Sequence, residues 1–129
     1  MSEGSGATLL LIEDDDRIRE LYTEIFQLRG YRVIEAINGE DAVEKFKVYR
    51  DEIDLLITDV MMPNKNGRET VEEIRKIKKD VKAIFTSGFD TELNKMLMRD
   101  GCHYLQKPFL PQQLLHMIAE VLEEDDNSP

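Results

Sequence analysis

The chain lacks features that mark several broad classes of protein. Its 129 residues include one cysteine, Cys102, so no intramolecular disulfide can form, and we predict a reducing, cytoplasmic compartment. It also lacks a basic excess, because 17 lysine and arginine residues stand against 27 acidic ones, for a net charge of -10. Binding to nucleic acids or anionic membranes requires a basic surface, so neither contact is expected.

Long apolar runs and glycine-rich phosphate loops are also missing. No stretch approaches the about 20 apolar residues of a transmembrane helix, and nucleotide binding of the P-loop kind is not predicted. The length fits one domain of about 100–150 residues, and no internal repeat is evident. We therefore predict a flexible linker or chain end at residues 1–7, one folded domain at 8–123 and a solvated acidic tail at 124–129.

Short apolar runs alternate with segments of helical periodicity along the domain. Five strands are predicted near residues 9–12, 31–37, 55–58, 83–87 and 103–107, each followed by a helix. The first, third and fourth runs are the most apolar, which is typical of central strands covered on both faces, whereas the second and fifth carry polar residues. This pattern predicts an α/β, flavodoxin-like, doubly wound (βα)5 domain with one parallel sheet of order 2-1-3-4-5.

Acidic residues follow two strands that are neighbours in this order. Glu13 and Asp14 come after the first strand, and Asp59 comes after the third. Ligands of open α/β sheets bind outside the carboxyl ends of the strands, where the chain reverses direction, so the three carboxylates are expected to converge there. Clustered carboxylates repel one another unless a cation compensates, and oxygen ligands on a partly solvated rim suit Mg²⁺.

The other two strand ends add a hydroxyl and a cation. Ser87 ends the fourth strand and Lys107 the fifth; alone, these would be a loop hydroxyl and a surface lysine. Together with three acids at the same edge, they indicate a phosphoryl-transfer site. Asp59 can then attack phosphorus to give an acyl phosphate, while Lys107 and the metal neutralise the oxygens of the transferred group.

The chain resembles the receiver domains of two-component response regulators, the CheY-like family, over about residues 9–122. The resemblance rests on five segments in family order and spacing: Leu-Leu-Ile-Glu-Asp-Asp at 10–15, Thr-Asp-Val-Met-Met-Pro at 58–63, Asn-Gly at 66–67, Thr-Ser-Gly at 86–88 and Lys-Pro-Phe at 107–109.

The resemblance implies a role for each acidic residue. Asp59 would accept phosphate from the phosphohistidine of a histidine kinase or a histidine phosphotransfer domain. Asp14 and Asp59 would bind Mg²⁺, or Mn²⁺, directly, with the Met61 backbone carbonyl as a further ligand and Glu13 acting largely through water. The domain would then be a signalling phosphoacceptor that catalyses its own phosphorylation and its own slow dephosphorylation, rather than an enzyme acting on other molecules.

The resemblance also implies a conformational switch. Lys107 would bind a phosphoryl oxygen, and its peptide bond to Pro108 would be cis. The Ser87 hydroxyl would turn toward the phosphate, and Tyr104 would move into the space that this turn vacates. The alternative for Tyr104 is a half-buried tyrosine of an edge strand with no switching role.

Partners follow from the same resemblance. A fused or separate effector would bind the face formed by the fourth helix, the fifth strand and the last helix, with Met96, Leu97 and Met98 either packing inside or bordering that face. Phosphorylation could also promote a homodimer. The Ser-Gly end of the fourth strand and residues 105–109 resemble receivers fused to hybrid sensor kinases, so the chain is either a stand-alone regulator or part of a larger protein.

Two other functions remain open from the sequence. A metal-dependent phosphatase that passes through an aspartyl phosphate usually carries a second aspartate two residues after the nucleophile, and this chain has Met61 there. A degenerate receiver that only binds partners would be expected to lack some of the pocket residues. No chemical role is predicted for five further polar residues: Asp15 and Asp16, which suit a helix start, and His103, His116 and Cys102.

Overall fold

The computed structural model describes residues 6–61, 65–88 and 101–124. Within these ranges, five parallel strands form one sheet in the order β2-β1-β3-β4-β5. The strands are β1 Thr8–Ile12, β2 Arg32–Ala36, β3 Leu55–Asp59, β4 Lys82–Ser87 and β5 Cys102–Gln106. The helices are α1 Asp16–Leu28, α2 Gly39–Tyr49, α3 Gly67–Ile77 and α4 Pro111–Glu124. The helix predicted between β4 and β5, with Met96, Leu97 and Met98, lies outside the described residues.

The predicted fold class and strand order are confirmed, with small errors at the element ends. The fifth strand ends at Gln106 rather than at Lys107 as predicted. The Lys107 N–H still donates to the Ser87 carbonyl at 2.8 Å, but the next peptide bond is cis and Pro108 has no N–H to continue the ladder. The cis bond agrees with the prediction. Lys107 is therefore the first residue of the loop that follows β5.

Helices pack against both faces of the sheet, and the alternation of side chains along β1 feeds both layers. Leu10 and Ile12 belong to the core under α2 and α3, whereas Leu9 and Leu11 belong to the core under α1 and α4. All four are almost fully buried, as predicted for a central strand. Burying each such side chain contributes about 1.5–3 kcal/mol relative to leaving it in water, so β1 contributes to the stability of both core layers.

Polar residues start the helices directly after the strand-end loops. Asp15 caps α1, as predicted, by accepting hydrogen bonds from two backbone N–H groups of the first turn. Asn38 caps α2, and Asn66 forms a reciprocal capping box with Glu69 at the start of α3. Pro111 opens α4 at the first helical position. In the described ranges, no helix has both the length and the apolar character needed to cross a membrane.

Candidate functional site

The carboxyl ends of four adjacent strands lie side by side at one edge of the sheet. In the parallel ladders, Ile12 pairs with Thr58, Asp59 with Thr86 and Ser87 with Gln106. The residues that follow or end these strands therefore emerge at one edge of the sheet. We call this group the strand-end site; its members are Glu13, Asp14, Asp59, Ser87 and Lys107.

A short ion pair lies at the centre of the strand-end site. The ammonium Nζ of Lys107 is 2.6 Å from Oδ2 of Asp59. The other carboxylate oxygen, Oδ1, accepts the backbone N–H of Met61 at 3.1 Å. Only 15% of the Asp59 side chain is exposed, against 40% for Lys107. Asp59 is thus held as an oriented carboxylate, with a cation on one oxygen and a backbone donor on the other.

The surroundings of Lys107 keep it charged. Burial by itself would lower the pKa of this ammonium, but the hydrogen bond and charge of Asp59, with smaller contributions from Glu13 and Tyr22, raise the pKa above its ordinary value. Lys107 is therefore a cation at neutral pH.

Glu13 carries a negative charge in an unfavourable place. Burial raises the pKa of its carboxyl, and the neighbouring Asp14 raises the pKa further. A hydrogen bond from the backbone N–H of Asp15 to the Glu13 carboxylate, 3.1 Å long, lowers the pKa and opposes these effects. The positive charge of Lys107 relieves only part of the effect. A divalent cation beside Glu13 and Asp14 would lower the cost of this charge, so the acidic side of the strand-end site suits a hard metal ion.

Within the described part of the chain, the strand-end site offers too few acidic ligands for a metal bound by protein groups alone. Across residues 6–61, 65–88 and 101–124, no three acidic, histidine or cysteine side chains lie close enough together to form a metal site. Mg²⁺ does not need such a set, because it usually binds through one or two carboxylates and keeps several waters. The oxygen donors present fit Mg²⁺, and the ligand roles of Glu13, Asp14, Asp59 and the Met61 carbonyl stay predictions.

The two residues expected to switch lie on neighbouring strands. Ser87 is fully buried at the end of β4, beside the start of the Lys107 loop. Tyr104 pairs with Phe85 across β4 and β5, is half-buried, and packs against the core under α2 and α3. The switching roles of Ser87 and Tyr104 stay predictions, because a switch is defined by two conformations and these positions describe one.

Sequence reasoning missed the residues that hold the Asp59 backbone. The Thr58 hydroxyl donates to the Asp59 carbonyl at 3.0 Å, and the Gly67 N–H donates to the Val60 carbonyl at 2.9 Å. A Cβ atom at Gly67 would lie 2.3 Å from the Asp59 carbonyl oxygen, closer than atoms can approach. Asn66 and Gly67 were recognised only as a family motif, and the close approach could not be read from the sequence.

We predict that Gly67→Ala displaces the Asp59 backbone as well as destabilising the protein. Overpacking of this kind costs about 1–3 kcal/mol, measurable by urea unfolding. Gly39→Ala is the matched control, because Gly39 also opens a helix after an asparagine cap, but its Cβ would meet the side chains of Thr70 and Lys65 instead. Gly67→Ala should shift the Asp59 amide signal in NMR spectra and slow phosphorylation beyond any effect of Gly39→Ala; equal effects of the two substitutions would contradict this role.

Arg19 is a second residue that sequence reasoning overlooked. Only 11% of its side chain is exposed, and its guanidinium donates to the Glu13 carbonyl at 2.8 Å, to Asp16 at 2.6 Å and to Glu35 at 3.2 Å. It therefore ties the acidic loop after β1 to both α1 and β2. The i,i+3 spacing of Asp16 and Arg19 was a visible signal for part of this arrangement.

The fold and the strand-end site together define a class of protein: doubly wound α/β domains with a carboxylate–lysine pair at the point where the strand order reverses. The sequence identifies the family within that class. Residues 9–119 match the family described as response regulator receiver domain, and the chain belongs to that family.

The chain is similar to proteins from several bacteria. The chain is 38% identical over 122 residues to the sensor kinase CckA of Brucella abortus, covering 93% of this chain but only 13% of that protein. A response regulator receiver domain protein from Clostridium thermocellum is 28% identical with a TM-score of 0.86, over 93% of this chain and 97% of that one. CheY in the CheX–CheY–BeF3–Mg²⁺ complex from Borrelia burgdorferi is 26% identical with a TM-score of 0.81, over 89% and 88%. As a receiver domain, the chain is a signalling module of two-component systems.

Proposed function

We propose that this receiver domain accepts a phosphoryl group on Asp59 from the phosphohistidine of a histidine kinase or a histidine phosphotransfer domain. The observation that carries the proposal is the Asp59–Lys107 pair, with Nζ and Oδ2 separated by 2.6 Å at the edge where β1, β3, β4 and β5 end. A buried, oriented carboxylate is a nucleophile, and the adjacent ammonium is placed to bind the group it receives.

The transfer needs no proton from the protein. A carboxylate oxygen of Asp59 forms a bond to phosphorus as the bond between phosphorus and the histidine nitrogen breaks, and that nitrogen keeps the electron pair. The proton already on the other ring nitrogen of the phosphohistidine leaves the imidazole neutral, beside an acyl phosphate on Asp59. Lys107 then exchanges its contact with the carboxylate for one with a phosphoryl oxygen. Mg²⁺, or Mn²⁺, held by Asp14, Asp59 and the Met61 carbonyl with Glu13 acting through water, would neutralise charge on the same oxygens. Slow attack of water on the acyl phosphate returns Asp59 to its starting state.

Phosphorylation would act by shifting an existing equilibrium between two conformations. Ser87 is buried at the end of β4, so its hydroxyl must turn to reach a phosphoryl oxygen. Tyr104, one strand away, would then move inward. This motion would carry the signal from the strand-end site to the β5 edge of the sheet and to an effector or a second copy of the domain that binds there.

The position of this domain in a longer protein is also a proposal. The similarity to CckA, of which the matching segment is 13%, supports a receiver fused to a hybrid histidine kinase. In this proposal residues 8–123 form the receiver, residues 1–7 and 124–129 are the flanking linker and acidic tail, and the domain works in the cytoplasm. A stand-alone regulator is the alternative, and the sequence flanking the chain in the encoding gene would distinguish the two.

Mg²⁺-dependent phosphorylation by a small donor is the direct test. Incubation with acetyl phosphate and Mg²⁺ should add the mass of one phosphoryl group, and peptide mapping after borohydride reduction should place it at Asp59. Excess EDTA should prevent the addition, because Lys107 alone does not offset the charge of the carboxylates and the phosphate. A protein that stays unmodified under these conditions, or is modified at another residue, would overturn the proposal.

A further inference from the structure

Three aromatic rings connect the core to the loop that carries Lys107. On α1, the ring of Tyr22 stacks on Phe26, with centroids 5.8 Å apart and planes inclined by 26°. Tyr22 also contacts Phe109, with centroids 6.3 Å apart and planes inclined by 35°. We call these three residues the aromatic column. Phe26 is fully buried, so the column is anchored in the core under α1 and α4.

The aromatic column ends at the strand-end site. Phe109 is only two residues after Lys107, and the Lys107–Pro108 bond between them is cis. The charges of Lys107 and Glu13 both act on the Tyr22 phenol, whose pKa is raised mainly by burial, lowered by Lys107 and raised by Glu13. Through Phe109, Tyr22 therefore contacts the loop that begins at Lys107.

We propose that Tyr22 is a positioning residue of the phosphorylation site, because its ring holds the loop of residues 107–109 against α1 and so sets where the Lys107 ammonium lies. This inference rests on the proposed function and adds a residue to it. β5 ends at Gln106, and among the described residues the ladder reaches Lys107 through its own N–H, beyond which Pro108 has no N–H to extend it. Side-chain packing therefore contributes to the position of the loop that follows. Tyr22 supplies that packing from a rigid helix.

The ring rather than the hydroxyl carries the proposed role. Tyr22→Phe keeps both ring contacts and should transfer phosphate close to the wild-type rate. Tyr22→Leu removes the stacking while staying apolar, and should slow transfer from acetyl phosphate by about tenfold or more, since small displacements of a catalytic group have effects of this size. The Mg²⁺ dissociation constant should stay unchanged, because the ring contacts of Tyr22 are with Phe26 and Phe109 and not with the proposed metal ligands.

Tyr49→Leu is the matched control. Tyr49 is another partly buried tyrosine on a helix, but it packs on the opposite core and lies under Arg32, whose guanidinium carbon is 5.9 Å from the ring centroid. This substitution should destabilise the protein to a similar degree, as measured by thermal unfolding, yet leave phosphorylation unchanged. A purely structural role of Tyr22 would make the two leucine variants behave alike.

A double-mutant cycle with Lys107→Met tests whether Tyr22 acts through Lys107. Tyr22→Leu should have little further effect on the residual rate of the Lys107→Met protein, because contributions made through one group are not additive. Additive losses, a weakened Mg²⁺ affinity, or a wild-type rate in Tyr22→Leu would each overturn the proposal.

An NMR comparison separates this inference from the proposed function. In the unphosphorylated protein, Tyr22→Leu should shift the amide signals of Lys107 and Phe109, whereas Tyr49→Leu should not. Unshifted signals would overturn the positioning role even in a protein that accepts phosphate. Suppose instead that the wild-type protein takes no phosphate, while Tyr22→Leu does shift the Lys107 and Phe109 signals. The proposed function would then be overturned, but the placement of the loop by Tyr22 would be supported.

Discussion

Asp59→Asn is expected to abolish phosphoryl incorporation from both acetyl phosphate and a phosphorylated histidine kinase. An amide oxygen is a far weaker nucleophile than a carboxylate oxygen and cannot form a stable acyl phosphate. The change is nearly isosteric, so the Met61 N–H can still donate a hydrogen bond to the amide oxygen of the asparagine, in place of Oδ1 of Asp59. Intact-mass analysis and radiolabel transfer both measure the effect, and no label above background is expected.

The control for Asp59→Asn is the same substitution at an acidic residue outside the strand-end site. Asp51 is exposed in the turn after α2, and Asp51→Asn removes the same charge from the chain. It should accept phosphate like the wild type. If label persists in Asp59→Asn, another carboxylate is the one that accepts phosphate. If label is lost in both Asp59→Asn and Asp51→Asn, the loss reflects a general effect of charge.

The strand ends could be predicted from the sequence because they follow from regular structure. In a parallel sheet the carboxyl ends of all strands lie at the same edge. Glu13, Asp59, Ser87 and Lys107 could therefore be placed together once the strand order was known. The order itself followed from which runs were apolar on both faces. Errors were confined to element ends; for example, β5 ends one residue before Lys107 because the ladder cannot continue through Pro108.

The residues that support the site could not be predicted in the same way. Gly67 matters because a Cβ there would collide with the Asp59 carbonyl, and Arg19 because it reaches back from α1 to the Glu13 carbonyl. Tyr22 had the spacing of an ordinary core residue of α1. Each of these contacts joins a helix to a loop from a different part of the chain, and their existence depends on the exact distance between packed elements, which periodicity does not encode.

The site also shows why function and stability are connected here. Partly buried Asp59 is compensated by Lys107, but the proposed phosphorylation requires Lys107 to leave the carboxylate for a phosphoryl oxygen. In this proposal the ammonium that stabilises the unphosphorylated protein is also the one that transfer needs, and the incoming phosphate would replace Asp59 as its partner. Removing one member of a partly buried ion pair is costly in so far as the other charge stays behind uncompensated.

Lys107→Met is expected to slow phosphorylation of Asp59 by about 100–1,000-fold, the usual effect of removing one group that stabilises charge on a reacting oxygen. Methionine keeps the length and apolar stem of the side chain but removes the cation. Lys107→Arg should recover little of the rate, since a planar guanidinium cannot replace a compact ammonium in the same space. Rates from acetyl phosphate with saturating Mg²⁺ measure both effects.

Lys45→Met is the matched control for this substitution. Lys45 also pairs with an aspartate, Asp41, at 3.2 Å, and 39% of its side chain is exposed, close to the 40% of Lys107. Its loss should leave phosphorylation unchanged. Transfer in Lys107→Met at a rate near that of Lys45→Met would show that the ammonium has no part in the chemistry.

The pH dependence of unfolding gives an independent measure of the Lys107–Asp59 pair. The pKa of Lys107 is raised in the folded protein above its ordinary value of 10.5, so the folded state binds this proton more tightly than the unfolded chain does. The resulting stability is fully present below pH 10.5 and is lost as the pH rises through the folded-state pKa. Urea unfolding should therefore show wild type more stable than Lys107→Met at neutral pH, with the difference shrinking above pH 10.5. A difference that is constant across this range would mean that the ammonium and the phosphoacceptor are not coupled in solution.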